Sequence, residues 1–247
     1  MRYFLEVSYK GTGYSGFQSQ HNANTIQAEV EKALKILCKE KIELTGSSRT
    51  DAGVHAYQNY FHFDFNGELL QGLAYNLNAV LPGEIAVKKI LEVKKEAHCR
   101  FDAISREYRY YIYDAKNPFL KDRAFYYPYK IDLALMQTAA SLIKEYSDFT
   151  SFSKRKTQVK TFKCTIMKSE WVKEDGCIIY KVKANRFLRG MVRALTATML
   201  KIGRGNLTID DFQRIIEGRD CSLSSFAVPP DGLFLMEVEF PKDYFLA

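Results

Sequence analysis

The sequence predicts an α+β protein with a mixed, mainly antiparallel sheet. Segments of alternating polarity arrive in adjacent pairs, and segments with the 3.6-residue period of an amphipathic helix separate these pairs. The same loose helix–strand–strand rhythm occurs twice without a residue-level repeat, so two similar halves with helices packed on the outside are a hypothesis at this point. We place the boundary in Asn117–Asp122, which contains Pro118, and this gives halves at residues 1–115 and 116–247.

The first half opens with an alternating, half-exposed strand. In the helix that follows, apolar residues recur every three or four positions, and Asn24 with Gln27 resembles a capping box. In a later strand, alternation places Asn59, Phe61, Phe63 and Phe65 on one face. The expected elements, in order, are a strand at 2–9, a helix at 24–40, a short strand at 42–44, a strand at 57–65, a helix at 68–80, and strands at 84–93 and 98–113.

The second half contains a basic, serine-rich stretch, SFSKRKTQVKTFK, which includes Lys154, Arg155 and Lys156. The turn signal Glu174–Gly176 predicts a hairpin after it. The expected elements are a helix at 132–146, strands on both sides of 174–176, a helix at 187–202, a helix from 208 to about 218, and a strand at 233–240.

The composition is that of a basic protein rich in aromatic residues. The 247 residues carry a formal net charge of +7 and include 16 Tyr and 17 Phe. This is typical of a nucleic-acid-binding protein, although a basic protein with a tyrosine-rich core has the same composition. The five scattered cysteines, without a CxxC pair, favour a reducing compartment. Neither a signal peptide nor a membrane span is evident, so we expect a cytoplasmic protein.

Two common motifs receive little support. Gly11–Gly16 matches GxGxxG, but the preceding strand alternates and the next helix starts many residues later, which disfavours dinucleotide binding. A loop that touches an RNA backbone, or a plain flexible loop, fits better. The four histidines have no metal-ligand spacing, so no metal site is predicted.

Three segments have the residues of an RNA site. The string SSRTDAGVHA sets Arg49 and Asp51 two positions apart, either as a solvated surface pair or as a carboxylate presented at a site. In SREYRYY, Tyr108 and Tyr110 share a strand face, as they would in an RNA-binding surface or in a tyrosine-rich core. On the predicted helix 187–202, a stripe of Arg186, Arg189 and Arg193 is either solvated or positioned to bind carboxylate or phosphate.

Besides SSRTDAGVHA, the sequence contains four further blocks: YKGTGYSGFQSQ with the following TIQ, RFDAISREYRY, FLRGMVR and SFAVPPDGLFL. In these five blocks and in their order, the sequence resembles the tRNA pseudouridine synthase A (TruA-type) family. The resemblance implies two halves whose sheets join around a basic central cleft, a homodimer, a tRNA substrate modified at anticodon stem-loop positions 38 to 40, and no cofactor or metal.

The resemblance also implies roles for four residues. Asp51 corresponds to the catalytic aspartate, Tyr108 to the base-stacking tyrosine and Arg193 to the arginine that pairs with the aspartate and keeps it ionised. Arg49 then contacts the RNA backbone or holds the flipped nucleotide. The residues alone leave open whether the carboxylate attacks the sugar, attacks the base or removes a sugar proton.

The sequence departs from the family pattern at five positions: Lys10 replaces Asp, Phe17 replaces Trp, Ser48 replaces Gly, and Gly190 and Ala194 stand where His and Asn are common. One alternative is therefore a pseudouridine synthase that acts on a different RNA. An RNA N-glycosidase would need a second acid near Asp51, and the sequence nominates none. A non-catalytic RNA-binding protein would leave Asp51 and Arg193 without a purpose.

Overall fold

A computed structural model describes residues 1–155, 159–242 and 244–245. The described chain is α+β, with mostly antiparallel strand pairs, as predicted. The strands are β1 (Arg2–Tyr9), β2 (Thr45–Gly46), β3 (His55–Asp64), β4 (Ile85–Val93), β5 (Ser105–Tyr113), β6 (Phe125–Tyr126), β7 (Ile166–Glu174), β8 (Cys177–Ala184) and β9 (Leu233–Glu239). The α-helices within the described ranges are α1 (Ile26–Cys38), α2 (Leu73–Val80), α3 (Leu133–Leu142), α4 (Met191–Gly203) and α5 (Ile209–Glu217).

The chain divides into two compact units. Unit 1 combines Met1–Ile104 with Phe234–Ala247, and unit 2 is Ser105–Leu233. The C-terminal strand therefore belongs with the N-terminal residues.

Unit 1 contains a sheet with the strand order β4-β1-β3-β9. Strand β1 is antiparallel to both of its neighbours, whereas β9 runs parallel to β3 and pairs Phe234 with His55. The face of β3 predicted to be apolar is buried, with Phe61 and Phe63 almost fully covered. The opposite face is buried too, because the ring of Phe240 packs 5.2 Å from that of Tyr60. Strand β3 is thus an inner strand of the unit 1 sheet that is buried on both faces.

Unit 2 contains the antiparallel order β5-β8-β7, with β6 parallel to β5. Helix α3 packs on β7 and α4, and α4 packs on β5. Along β5 burial alternates, so that Tyr108 and Tyr110 face inward while Arg109 and Tyr111 are partly exposed. Tyr110 is a core residue, since its hydroxyl is covered and donates to the Pro229 carbonyl at 2.7 Å.

Several predicted boundaries were wrong for local reasons. The cap of α1 is Thr25, not Asn24, because the Thr25 hydroxyl accepts from the Ala28 amide at 3.3 Å. The short strand lies at Thr45–Gly46 and not at 42–44, since it is Thr45 and Gly46 that pair with β3. Helix α2 begins at Leu73, after Gly72 with φ of 72°. Residues 98–102 form a turn, and β5 starts only at Ser105.

The start of α4 changes the interpretation of the arginines. The helix begins at Met191, after Gly190 with φ of 75°. A side chain at Gly190 would be strained by this φ and would lie 3.1 Å from Lys154 Cγ and Phe226 Cε1. Arg186 and Arg189 therefore precede the helix, and the predicted three-arginine helical stripe was wrong.

Candidate active site

The loop Ser47–Val54 of unit 1 presents the two charges singled out in the sequence. It connects β2 to β3. Asp51 is half-buried and Arg49 is exposed, while Thr50 between them is buried. The buried residues Ser48 and Thr50 lie on either side of Arg49, and Thr50 also precedes Asp51, whereas Ala52 after it is exposed. The loop therefore presents Asp51 next to an anchored residue.

Asn59 of β3 holds the start of this loop. Its side chain is fully buried; the amide nitrogen donates to the Ser48 carbonyl at 2.8 Å, and the amide oxygen accepts from the Ser48 amide at 3.3 Å. The same nitrogen donates to the Tyr9 hydroxyl at 3.1 Å, which lies 2.8 Å from the Thr50 hydroxyl. We call these contacts the Asn59 clamp. It ties both residues that flank Arg49 to the core of unit 1.

The glycine-rich loop after β1 contacts the other side of the Asp51 loop, Ser47–Val54. The Phe17 amide donates to the Thr50 carbonyl at 3.1 Å, and the Gly11 amide donates to His55 Nδ1 at 3.0 Å. Because Nδ1 accepts, neutral His55 carries its proton on Nε2. A Cβ at Gly11 would lie 2.1 Å from the Val54 carbonyl oxygen, so this close approach requires glycine. The GxGxxG string is thus a structural support in this fold.

Tyr108 lies in unit 2, on β5. It is 9% exposed, and its ring meets that of Phe187 edge-on, with centroids 5.0 Å apart. An edge-to-face contact of this kind fixes the plane of the ring. Tyr108 is consequently a rigid aromatic side chain.

Arg193 also lies in unit 2, in the first turn of α4. Its Nε and Nη2 donate to the Val228 carbonyl at 3.0 and 2.7 Å, which fixes the guanidinium plane. Burial, with a smaller contribution from Asp231, holds the pKa of Tyr110 well above its ordinary value, and the charge of Arg193 opposes this. Arg193 is therefore an oriented cation close to the buried Tyr110.

The sequence model of a family described as tRNA pseudouridine synthase matches residues 6–102 and 146–241. The chain belongs to the tRNA pseudouridine synthase family. The matched segments contain the Asp51 loop and Arg193, whereas Tyr108 falls between them.

Similar full-length proteins carry the same description. The tRNA pseudouridine synthase A of Parabacteroides distasonis is 43% identical over 246 residues, which cover 99% of this chain and 98% of that protein. The protein of the same name from Bacteroides fragilis is 44% identical over 247 residues, covering 99% and 98%. That from Staphylococcus aureus is 35% identical over 249 residues, covering 100% and 93%. The expected enzyme class, an isomerase that forms pseudouridine in tRNA, is confirmed.

The four predicted site residues are divided between the two units of the chain. Arg49 and Asp51 lie together on one loop of unit 1, and Tyr108 and Arg193 lie in unit 2. The pairing of Arg193 with Asp51 stays a prediction. In the basic stretch, the Arg155 guanidinium contacts Cys221 Sγ at 3.3 Å, while Lys156 lies outside the described residues.

The sequence reasoning missed the residues that support the Asp51 loop. Asn59 was assigned to a strand face with phenylalanines, and the only available signal was an amide in an otherwise apolar pattern. His55 stood inside the quoted string, yet its stacking on Phe234 at 4.5 Å depends on a strand from the far end of the chain.

The described part of the chain has neither a cluster of metal ligands nor a helix that could span a membrane. Across residues 1–155, 159–242 and 244–245, no three His, Cys, Asp or Glu side chains are grouped so that they could hold a metal ion. Within the same ranges, no helix combines the length and apolar character that crossing a membrane requires.

Proposed function

We propose that this chain isomerises uridine to pseudouridine at positions 38 to 40 of the tRNA anticodon stem-loop, with Asp51 as the nucleophile and without a cofactor. One observation carries the proposal: in a chain of this family, Asp51 is the carboxylate presented by a loop whose neighbouring residues are fixed by buried hydrogen bonds. We also expect a homodimer that acts in the cytoplasm, where tRNA is modified.

The reaction needs a nucleophile and proton transfer, but no redox change. The bond between ribose C1′ and uracil N1 breaks, the base turns, and a bond forms between C1′ and C5. The C5 proton leaves and N1 gains a proton, so atoms and electrons balance. A carboxylate that attacks and then departs splits this rearrangement into two easier steps. Asp51 is the group we assign to that attack.

The other site residues hold the nucleotide. Tyr108 stacks on the uracil, and its hydroxyl moves a proton during reattachment. Arg193 supplies an oriented positive charge to the bound substrate. The exposed Arg49 contacts the RNA backbone beside the flipped nucleotide, whose extrusion from the helix costs a few kcal/mol. Fixed side-chain planes at Tyr108 and Arg193 support these roles, since positioning is a large part of catalysis.

The deciding experiment measures release of tritium from 5-tritiated uridine in tRNA, together with free uracil. Isomerisation releases the C5 label without releasing uracil, an N-glycosidase would release uracil, and a non-catalytic RNA-binding protein would release neither. Asp51→Asn should abolish label release while tRNA binding persists. Asp210→Asn, an isosteric change at an exposed position of α5, is the matched control and should turn over normally.

Mapping of pseudouridine in the product then tests the positions. Label release without pseudouridine at 38 to 40 would favour a synthase that acts on a different RNA or a different site. Turnover by a clean Asp51→Asn preparation would refute the assignment of the nucleophile.

A further inference from the structure

The turn His98–Asp102 of unit 1 is closed by hydrogen bonds between its two end residues. The proposed catalytic mechanism does not use this turn. The Asp102 amide donates to the His98 carbonyl at 3.0 Å, and the Asp102 carboxylate accepts from the His98 amide at 2.8 Å. Between these ends, the turn is anchored by Cys99. The Cys99 side chain is completely buried, and its thiol donates to the Thr45 carbonyl of β2 at 3.2 Å. The tip of the turn is therefore held at a fixed position beside β2.

His98 fixes the orientation of that tip. Its Nδ1 accepts from the Arg100 amide at 3.1 Å and from the Phe101 amide at 3.3 Å. Only the neutral ring can accept in this way, and burial lowers the pKa of His98, which favours the neutral form. The side chains of Arg100 and Phe101 point away from this anchored backbone and are exposed.

A cavity of about 210 Å³ lies beside the tip. We call it the Phe101 pocket. Its lining residues come from the glycine-rich loop, helix α1, the segment around β2, the catalytic loop and this turn: Phe17, Gln18, Gln27, Leu44, Thr45, Gly46, Arg49, His98, Arg100 and Phe101. Asp51 is not among the lining residues.

The pocket combines an aromatic ring with guanidinium groups. Phe101 is 74% exposed, and the Arg100 guanidinium carbon lies 5.8 Å from the centre of its ring. What distinguishes Phe101 from other exposed rings is that it lines a cavity together with Arg49 and Arg100. Arg49 is exposed and makes no hydrogen bond or ion pair with another described residue of unit 1. Guanidinium groups beside an accessible ring suit a nucleotide, because the ring stacks on the base and the cations bind phosphate.

The size of the pocket limits the ligand. Sites for drug-sized ligands have roughly 300–1,000 Å³, and this pocket is smaller. It suits a single base more than an extended ligand. A base can stack on a protein ring only if it has left its own stack, so the nucleotide must be unpaired or extruded.

We propose that the Phe101 pocket binds one unpaired nucleotide of the RNA substrate, distinct from the nucleotide that is isomerised. The base stacks on Phe101, and the phosphates on either side of it contact Arg49 and Arg100. The identity of the RNA as tRNA rests on the proposed function, whereas the binding of an unpaired nucleotide rests on the pocket alone. Because Arg49 is two residues from Asp51, occupation of the pocket would also set the register of the RNA on the catalytic loop.

The test compares Phe101→Ala with Phe119→Ala, which removes a ring that is 77% exposed in unit 2. Both are made in the inactive Asp51→Asn chain so that the RNA is not altered. Affinity is measured by fluorescence anisotropy with an anticodon stem-loop RNA and with a fully paired RNA duplex of equal length. Phe101→Ala should weaken stem-loop binding about 5- to 150-fold, the range measured for stacking of one base on an aromatic side chain. Duplex binding should be unchanged, and Phe119→Ala should change neither.

Two further variants sharpen the test. Phe101→Trp keeps a stacking surface and should retain the affinity for the stem-loop. Arg100→Gln should lower the slope of log affinity against log salt by about one phosphate contact. If Phe101→Ala and Phe119→Ala bind the stem-loop equally well, the proposal is overturned. The proposal is also overturned if Phe101→Ala leaves RNA affinity intact but changes the molar mass of the protein measured by analytical ultracentrifugation. Phe101 would then belong to a contact between protein chains.

Label release by the wild-type chain distinguishes a failure of the proposed function from a failure of the pocket proposal. An absence of label release from tRNA by the wild type would refute the isomerisation, yet the stem-loop and duplex affinities would still decide the pocket.

Discussion

Removal of the Asn59 side chain tests whether the Asp51 loop, which we propose to be catalytic, is held from β3. Asn59→Ala deletes the amide that bonds both backbone groups of Ser48 at 2.8 and 3.3 Å in a fully buried position. Each newly unsatisfied buried group costs about 1–3 kcal/mol, so the free energy of unfolding should fall by about 2–6 kcal/mol. Domains are stable by about 5–15 kcal/mol. The variant should therefore fold at low temperature with a clearly reduced unfolding midpoint.

The same substitution should also reduce turnover. The clamp fixes Ser48 directly and Thr50 through Tyr9, so both residues that flank Arg49 lose their support. A displacement of about 1 Å in a positioned catalytic group can cost about a hundredfold in rate. We expect a decrease of that order in kcat per folded molecule, measured by tritium release at a temperature where urea titration shows the variant to be folded.

Asn78→Ala is the matched control. Asn78 of α2 makes the same pair of bonds to the backbone of Val87, at 2.8 and 2.7 Å, on the edge strand β4. Because Asn78 is exposed, water can replace its amide, and the loss of stability should be smaller, about 1–3 kcal/mol. Its kcat should be that of the wild type. Equal kcat values for folded Asn59→Ala and wild type would refute the clamp as a support of catalysis.

Three further outcomes are expected. The Ser48 hydroxyl is buried and has no hydrogen-bond partner among the described residues, so Ser48→Ala should leave the free energy of unfolding unchanged or raise it by up to about 1 kcal/mol; a loss of turnover would instead assign this hydroxyl to the substrate. Burial lowers the pKa of His62 to about 4, so the unfolded chain binds this proton first as pH falls, and the free energy of unfolding should decrease by up to about 3 kcal/mol from pH ~6.5 to ~4. Urea titrations of His62→Gln should lack that part of the decrease, and an identical pH dependence would contradict the assignment. Arg193→Lys should lower kcat/KM at least about tenfold with folding intact, because a Lys cannot reproduce the two bonds from Nε and Nη2 to Val228; wild-type kinetics would show that the planar group is unnecessary.

Local patterns predicted the strands and helices that single segments determine. Strand β1 and helix α1 follow from alternation and from a 3.6-residue apolar period, and the structure places them within a few residues of the prediction. The start of α4 was not predictable in this way. Phe187 and Leu188 continue the apolar pattern of the helix, but the positive φ of Gly190 prevents helix continuation through them. Periodicity carries no information on such a backbone angle.

The candidate site shows the same division. Arg49 and Asp51 stood out because they are close together in one string between two strands. The Asn59 clamp could not be predicted, because it depends on the register that brings β1 and β3 together, and a lone Asn on an alternating strand looks the same when it faces solvent. The parallel pairing of β9 with β3 links residues separated by most of the chain.

That pairing has a consequence during synthesis. Unit 1 is interrupted in the chain by the whole of unit 2, and His55 finds its partner Phe234 only near the C-terminus. Domains fold as units during translation, from the N-terminus onward, but here the sheet of unit 1 cannot be completed until β9, which follows unit 2 in the chain, has left the ribosome. A ribosome that stalls between unit 2 and β9 would thus hold a chain in which the residues of the Asn59 clamp are present but Phe234, on which His55 stacks, is not. The sheet of unit 1 can therefore be completed only after the whole of unit 2 has been translated.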